Sequence, residues 1–184
     1  MTESFVPHAF PPMEAAAKVR LLVLDVDGVL TDGGLYYDLQ AQTMKRFDVQ
    51  DGLGIRIAQK AGIIVAVITG LDSKAVACRM RDLEITDYYA GYVDKRASLE
   101  TIRSKYNLEW EEIAYLGDDW VDLAVMSKVG LPLAVANAQP EVKAIAHYVT
   151  LAHGGQGAVR EVVRQLLMAQ GKYDAVLQAW SCPC

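Results

Sequence analysis

The chain is poor in cysteine, in histidine and in net positive charge, and it has no long hydrophobic run. Each shortage removes a class of function. Cys78, Cys182 and Cys184 are too few and too odd in number for a disulfide framework, and they suit a reducing compartment. The closing Cys182-Pro183-Cys184 lacks Cys-x-x-Cys spacing and nearby ligands, so it reads as incidental. His8, His147 and His153 each lack the partner set of a histidine-assisted nucleophile. Lysine and arginine total 18 against 23 aspartates and glutamates, a net charge of −5. That balance opposes nucleic-acid binding, which needs a basic face. It leaves room for a small phosphorylated substrate held by a few local cations. No apolar stretch reaches the ~18 residues of a membrane span, and no basic-then-apolar secretory signal opens the chain. The cytoplasm is the expected location.

What remains is a globular composition, 52% hydrophobic over 184 residues, which suits one domain with a sizeable core. Residues 1–18 read as an N-terminal arm, 34–48 as a β-hairpin flap and 171–184 as a C-terminal tail. Between them, short apolar runs alternate with helical patterns. Strands are expected from Arg20 up to the Asp25/Asp27 pair, and at Ile63–Ile68, Asp87–Ala90, Ile113–Leu116, Leu131–Val135 and Tyr148–Thr150. Helices are expected over Asp51–Ala61, from a cap at Asp72 or Ser73 to Leu83, and over Asp94–Tyr106. Further helices are expected over Asp119–Lys128, Pro140–Ala146 and Ala158–Gln170. The last carries Val159, Val162, Val163, Leu166 and Leu167, one apolar stripe. Such alternation predicts a parallel sheet covered on both faces, an α/β fold. The flap is expected as strands Leu35–Asp38 and Thr43–Asp48, with more apolar side chains than a lone hairpin can bury.

The first strand ends abruptly in two carboxylates, Asp25 and Asp27, which share a face because they are two residues apart. At about 4 Å such charges repel by roughly 4 kcal/mol at an effective dielectric near 20. A cation, a shared proton or full hydration must offset this, and a plain solvated turn is the alternative to chemistry. Three more polar clusters follow later segments: Thr69-Gly70, Lys95, and Asp118/Asp119/Asp122. Parallel strands put their carboxyl ends on one side, where ligands bind. Asp25 and Asp118 suit Mg²⁺, which takes carboxylates, waters and phosphate oxygens. Thr69, Gly70 and Lys95 suit phosphate; Asp25 can attack phosphorus, and Asp27 can serve as acid and base.

Asp25-Val26-Asp27-Gly28-Val29-Leu30-Thr31, Val67-Ile68-Thr69-Gly70, Lys95 and Gly117-Asp118-Asp119-x-x-Asp122 resemble, in order, the four motifs of the haloacid dehalogenase superfamily of phosphatases. The resemblance runs from Val19 to about Tyr173. It is to the capless branch that contains the 3-deoxy-D-manno-octulosonate 8-phosphate (Kdo-8-phosphate) phosphatases. Phe47-Asp48-Val49-Gln50-Asp51-Gly52, Tyr148-Val149-Thr150 and Gly154–Glu161 also carry it. The resemblance implies a Rossmann-like three-layer sandwich with a projecting flap and no cap domain. It implies Asp25 as nucleophile, Asp27 as acid/base and, through its backbone carbonyl, a Mg²⁺ ligand. Asp118 is the third ligand, supported by Asp119 and Asp122. Arg79 and Thr31 are the implied substrate-binding residues, Arg79 acting from an adjacent subunit, and the glycine-rich turn at 154–160 lies near the site. A homotetramer built on the flaps is implied too.

Leu71 departs from that pattern, since Kdo-8-phosphate phosphatases usually have arginine after Thr-Gly and a nine-carbon keto-acid 9-phosphate phosphatase has glutamate. Kdo-8-phosphate, a lipopolysaccharide precursor, is the expected substrate, with a nine-carbon keto-acid 9-phosphate as the alternative. A phosphoacceptor receiver domain is a rival that lacks a place for Asp27. A weakly active oligomerisation domain of the same fold is another.

Overall fold

In the computed structural model, residues 11–40 and 42–181 are described. Residues 1–10 (with His8), Ala41 and the Cys182–Cys184 end lie outside them. Among the described residues no helix is long and apolar enough to cross a membrane.

Six parallel strands form one sheet in the order β5-β4-β1-β6-β7-β8: β1 (Leu21–Leu24), β4 (Ile64–Thr69), β5 (Asp87–Ala90), β6 (Ile113–Gly117), β7 (Leu131–Ala134) and β8 (Tyr148–Val149). β1 is central and apolar on both faces, and all four of its side chains are buried. From β1 the chain steps outward to β4 and β5, then returns to the other side of β1 for β6, β7 and β8. The loops leaving β1 and β6 diverge there, and the divergence opens a crevice at the carboxyl ends.

Helices cover both faces, as right-handed crossovers require. α1 (Met13–Lys18) and α2 (Val49–Lys60) pack with α7 (Ala158–Ala169), while α4 (Arg96–Tyr106), α5 (Trp120–Met126) and α6 (Pro140–Ile145) pack as a second group. α3 (Lys74–Asp82) lies beside α2, where Gly52 leaves room for Arg79 and Leu83. The stripe expected on α7 is buried at all five positions. Each such side chain contributes about 1.5–3 kcal/mol by leaving water.

Boundaries moved where side chains found other partners. α2 starts at Val49, because Asp48 accepts hydrogen bonds from the Gln50 and Asp51 amides. Asp51, expected to begin that helix, instead caps α7 from across the interface: its two oxygens accept from the Gly157 and Arg160 amides at 3.2 and 2.8 Å. Burial pushes its carboxyl up despite those bonds. Ser73 precedes α3, but its side chain makes no capping bond. The flap is shorter than expected, with only β2 (Tyr36–Tyr37) and β3 (Thr43–Met44) paired. Phe47 returns the chain to the body through a bridge to Thr31. The segment expected as a plain tail holds α8 (Tyr173–Ser181), packed on α7. Between β1 and α2 the described residues carry only the hairpin.

Candidate active site

β1 ends at Leu24, but the sheet still holds Asp25, whose amide donates to the Leu116 carbonyl at 3.1 Å. That keeps its side chain 6% exposed. A tight turn follows in which the amides of Val29, Leu30 and Thr31 all donate to the Val26 carbonyl. Gly28 adopts φ +92°, and a Cβ there would overlap the Asp118 carboxylate. Only glycine lets the two motifs approach this closely. Asp27 emerges further out, its side chain 26% exposed.

Beneath Asp25 lies a buried polar knot. The Lys95 ammonium reaches Asp25 Oδ1 at 2.5 Å and Asp122 Oδ1 at 2.7 Å, and donates to the Tyr115 hydroxyl at 3.2 Å. Tyr115 donates to Asp122 Oδ1 at 2.7 Å, and Asp122 Oδ2 accepts from the amides of Asp118 and Asp119. Lys95 and Asp122 are almost wholly buried. Burial pushes Asp25 up to about 6; the Lys95 charge opposes the rise, and Asp122 adds to it. Burial would lower Lys95, but Asp25 and Asp122 outweigh that and hold it above its ordinary value. Tyr115 is raised by burial first and by Asp122 next, so it stays a neutral donor.

Asp118, from the end of β6, faces this knot. Its Oδ1 is buried and has no hydrogen-bond partner among the described residues. Burial first, and then the charges of Asp25, Asp122 and Asp119, push it up to about 8. An orphaned carboxylate oxygen beside a second carboxylate is what a divalent cation would satisfy. Oxygens of Asp25, Asp118 and Asp122 lie within 4.8 Å of one another. Asp122 is already committed through both oxygens, so Asp25 and Asp118 are the free donors of that set. The residues fit Mg²⁺.

Thr69 is buried at the end of β4, its hydroxyl 3.4 Å from the Leu71 amide. Gly70 follows with open space at its Cα, the nearest side chain being Val93 at 3.7 Å from an added Cβ. The glycine-rich turn packs directly on the β1 turn, since a Cβ on Gly154 would collide with the Gly28 carbonyl. Asp119 is exposed and caps α5, its carboxylate accepting from the Trp120 amide.

Two candidate residues lie elsewhere. The Thr31 hydroxyl turns inward, donating to the Val26 carbonyl and accepting from the Gly28 and Gly33 amides. Arg79 donates to the Asp48 carbonyl at 3.2 Å and lies over the Phe47 ring, and it makes no ion pair among the described residues.

Four residues near the mouth escaped sequence reading. Lys45, on the flap, grips both oxygens of Asp27 at 2.5 and 2.7 Å. Tyr115 hid inside a strand read only as apolar. Asn137 ties two loops together, its Nδ2 donating to the Gly28 carbonyl and its Oδ1 accepting from the Gly154 amide. The buried Tyr88 hydroxyl has no partner among the described residues; burial, then the charges of Asp72 and Asp27, raise it above the usual phenol range. For Tyr115 and Tyr88 the available signal was a polar tip on a strand of the sheet; Lys45, on an exposed hairpin, and Asn137, in a loop, offered none. An apolar crevice of about 160 Å³ between α2, α7 and α8, lined in part by Leu53, Val163 and Trp180, carries none of this chemistry.

Comparison with known proteins agrees with this geometry. Residues 82–162 match the haloacid dehalogenase-like hydrolase family. The chain is 48% identical over 159 residues to 3-deoxy-D-manno-octulosonate 8-phosphate phosphatase KdsC of Escherichia coli K12, covering 86% of this chain and 85% of that one. It is 44% identical over 168 residues to KdsC of Yersinia pestis, covering 91% and 90%. Among solved structures, the 3-deoxy-D-manno-octulosonate 8-phosphate phosphatase of Moraxella catarrhalis, in complex with magnesium ion, phosphate ion and KDO, superposes with a TM-score of 0.89. It is 37% identical over 91% of this chain and 97% of that one. The cobalt-bound phosphatase of Haemophilus influenzae superposes with a TM-score of 0.87, at 38% identity over 91% and 99%.

Proposed function

The chain belongs to the 3-deoxy-D-manno-octulosonate 8-phosphate phosphatases of the haloacid dehalogenase superfamily, and from that premise we propose that it hydrolyses Kdo-8-phosphate to Kdo and phosphate with Mg²⁺ as cofactor. The observation that carries this reading is the crevice itself: Asp25 held by a buried lysine, next to a carboxylate oxygen of Asp118 that nothing satisfies.

Asp25, the backbone carbonyl of Asp27 and Asp118 would hold the metal. When bound, Mg²⁺ supplies positive charge to the phosphoryl oxygens and offsets the repulsion among the carboxylates. Thr69 and the amides around Gly70 orient the phosphoryl group. An oxygen of Asp25 attacks phosphorus, and the bond from phosphorus to the sugar oxygen breaks. Asp27 gives its proton to the departing oxygen. Asp27, now a carboxylate, takes a proton from water; the water oxygen attacks the aspartyl-phosphate, and phosphate leaves with Asp25 restored. Lys95 acts here mainly through Asp25 and Asp122, whose charge it balances from below. Asp119 and Asp122 support the loop that presents Asp118.

Residues 1–184 work as one phosphatase domain of the cytoplasm whose small site needs cover from outside the protomer. Support comes from the flap, whose Leu35, Tyr36, Tyr37 and Met44 are each about half exposed or more. Packing of four flaps into a homotetramer would bury them and bring a neighbour's Arg79 to the sugar-acid end. Thr31 then belongs to the turn that shapes the site.

The test is Mg²⁺-dependent phosphate release from a panel of phosphosugars, with chelator controls. Preference for Kdo-8-phosphate supports the reading and makes Leu71, 53% exposed at the rim, a tolerated change. Preference for a nine-carbon keto-acid 9-phosphate keeps the mechanism and replaces the substrate. No turnover with metal bound would sink the enzymatic reading.

A further inference from the structure

Asp27 has to meet the departing oxygen and later a water molecule, so its carboxylate must be aimed. Among the described residues its only hydrogen-bond partner is Lys45, whose ammonium contacts both oxygens at 2.5 and 2.7 Å. Asp27 otherwise sits in a glycine-containing turn, directly before Gly28, where its side chain has several rotamers open to it.

Lys45 is unusual for a hairpin lysine. Its side chain is 1% exposed, while its neighbours Met44 and Arg46 are 55% and, for the side chain, 51% exposed. Burying an ammonium is costly unless it is paired, so the fold has given this cation a fixed place against one carboxylate. The leg that carries it is pinned immediately afterwards. Arg46 donates to the Gly155 carbonyl at 2.8 Å, and Phe47 bridges to Thr31. Both anchors lie on the loops that line the crevice.

We propose that Lys45 is a positioning residue: from the flap, it holds one oxygen of the Asp27 carboxyl, so that the other, when it carries the proton taken from water in the preceding turnover, is aimed at the leaving oxygen. The inference rests on the phosphatase reading and deepens it, because it makes the flap part of the acid/base machinery as well as a cover. Lys45 works through Asp27 and need not touch the substrate.

Leaving-group chemistry separates this role from others. A sugar alkoxide is a poor leaving group and needs the proton; p-nitrophenolate is a good one and hardly does. The ratio kcat/KM reports steps up to the first irreversible one, here departure of the leaving group. Kcat/KM is therefore measured with Mg²⁺ for Kdo-8-phosphate and for p-nitrophenyl phosphate, in wild type and in Lys45→Met, which keeps the apolar stem. The expected loss is ~10–100-fold on the sugar phosphate, part of the 10²–10⁴ that general acid catalysis supplies, and less than ~3-fold on the aryl phosphate. Lys45→Arg, which keeps a cation, should restore much of the difference.

Equal losses on both substrates would overturn the proposal and make Lys45 a phosphate contact or a purely structural residue. No loss on either would overturn it too. If circular dichroism shows Lys45→Met unfolded, Lys45→Gln and Lys45→Arg carry the same comparison. Wild type inactive on both substrates brings down the phosphatase reading, and this inference with it; an active wild type with non-selective variants removes only the role of Lys45.

Discussion

At the end of β1, Asp25, Lys95, Tyr115 and Asp122 are buried and satisfy one another within a single chain. A short distance along the sequence, Leu35, Tyr36, Tyr37 and Met44 stand 48–62% exposed on a hairpin of two-residue strands. The first region is finished by its own protomer. The second has apolar surface and almost no local structure to justify it, the condition in which soluble proteins use another surface as cover. The contrast separates what one chain must hold rigid for chemistry from what it can leave to assembly. Lys45 is the joint between them, a flap residue buried against a carboxylate of the mouth.

The sharpest way to break the comparison is at Asp25, the proposed nucleophile. Asp25→Asn keeps the size of the side chain and leaves Lys95 paired with Asp122. Phosphate release should fall more than about a thousandfold, because the covalent route is gone, while the thermal transition stays close to that of wild type. An Asn variant with near-normal turnover would remove Asp25 from that role.

Stability should respond most at Lys95. Lys95→Met leaves Asp25 and Asp122 buried without their cation, and removing one partner of such a group costs about 3–5 kcal/mol. Urea unfolding should move by that amount in the absence of metal, and added Mg²⁺ should recover part of it by supplying positive charge. An unchanged midpoint would mean that the knot is not what holds the mouth.

The metal itself should report the protons stored there. Asp25 is pushed up to about 6 and Asp118 to about 8 in the metal-free chain, chiefly by burial. A carboxyl whose folded pKa lies above its unfolded one holds a proton that the unfolded chain has already lost. Its contribution to stability therefore falls as pH rises from about 4 through 6 toward 8. Mg²⁺ must displace those protons, so its affinity should rise with pH across 6–8, by up to about tenfold per unit for each proton released, and then level off. Isothermal titration calorimetry in buffers of different ionisation heat would count them. A flat affinity over that range would contradict the metal-site assignment.

Sequence reading reached the mouth more fully than the flap, for a physical reason. Strand ends announce themselves by an abrupt change from apolar to acidic residues, as at Asp25 and Asp118. The β-α alternation then puts them on one side. Lys95 was legible as a cation at a helix start, but its contact with Tyr115 was not, since a tyrosine inside Ile113–Gly117 reads as core. Lys45 was missed because a hairpin lysine normally points to solvent, and only the fold shows it turned inward. α8 was missed because 171–184 opens with a glycine and has no buried stripe; it packs on α7 without becoming buried itself.

The smallest effect on the fold should come from the flap, which makes it the cleanest probe of the other half of the comparison. Tyr36 and Tyr37 are 51% and 62% exposed, and neither side chain contributes to the buried core. Replacing both by serine should change the unfolding free energy of the isolated protomer by no more than about 0.5 kcal/mol per site. If four flaps pack together, the same double variant removes eight aromatic rings from one contact, and sedimentation velocity should show it shifted toward smaller species. Activity should then fall through KM more than through kcat, because the substrate loses its cover while Asp25, Lys95 and Asp118 keep their places. An assembly unchanged by the double variant would mean that the flap's exposed face serves something other than self-association. A protomer strongly destabilised by it would mean that the hairpin packs on its own body after all.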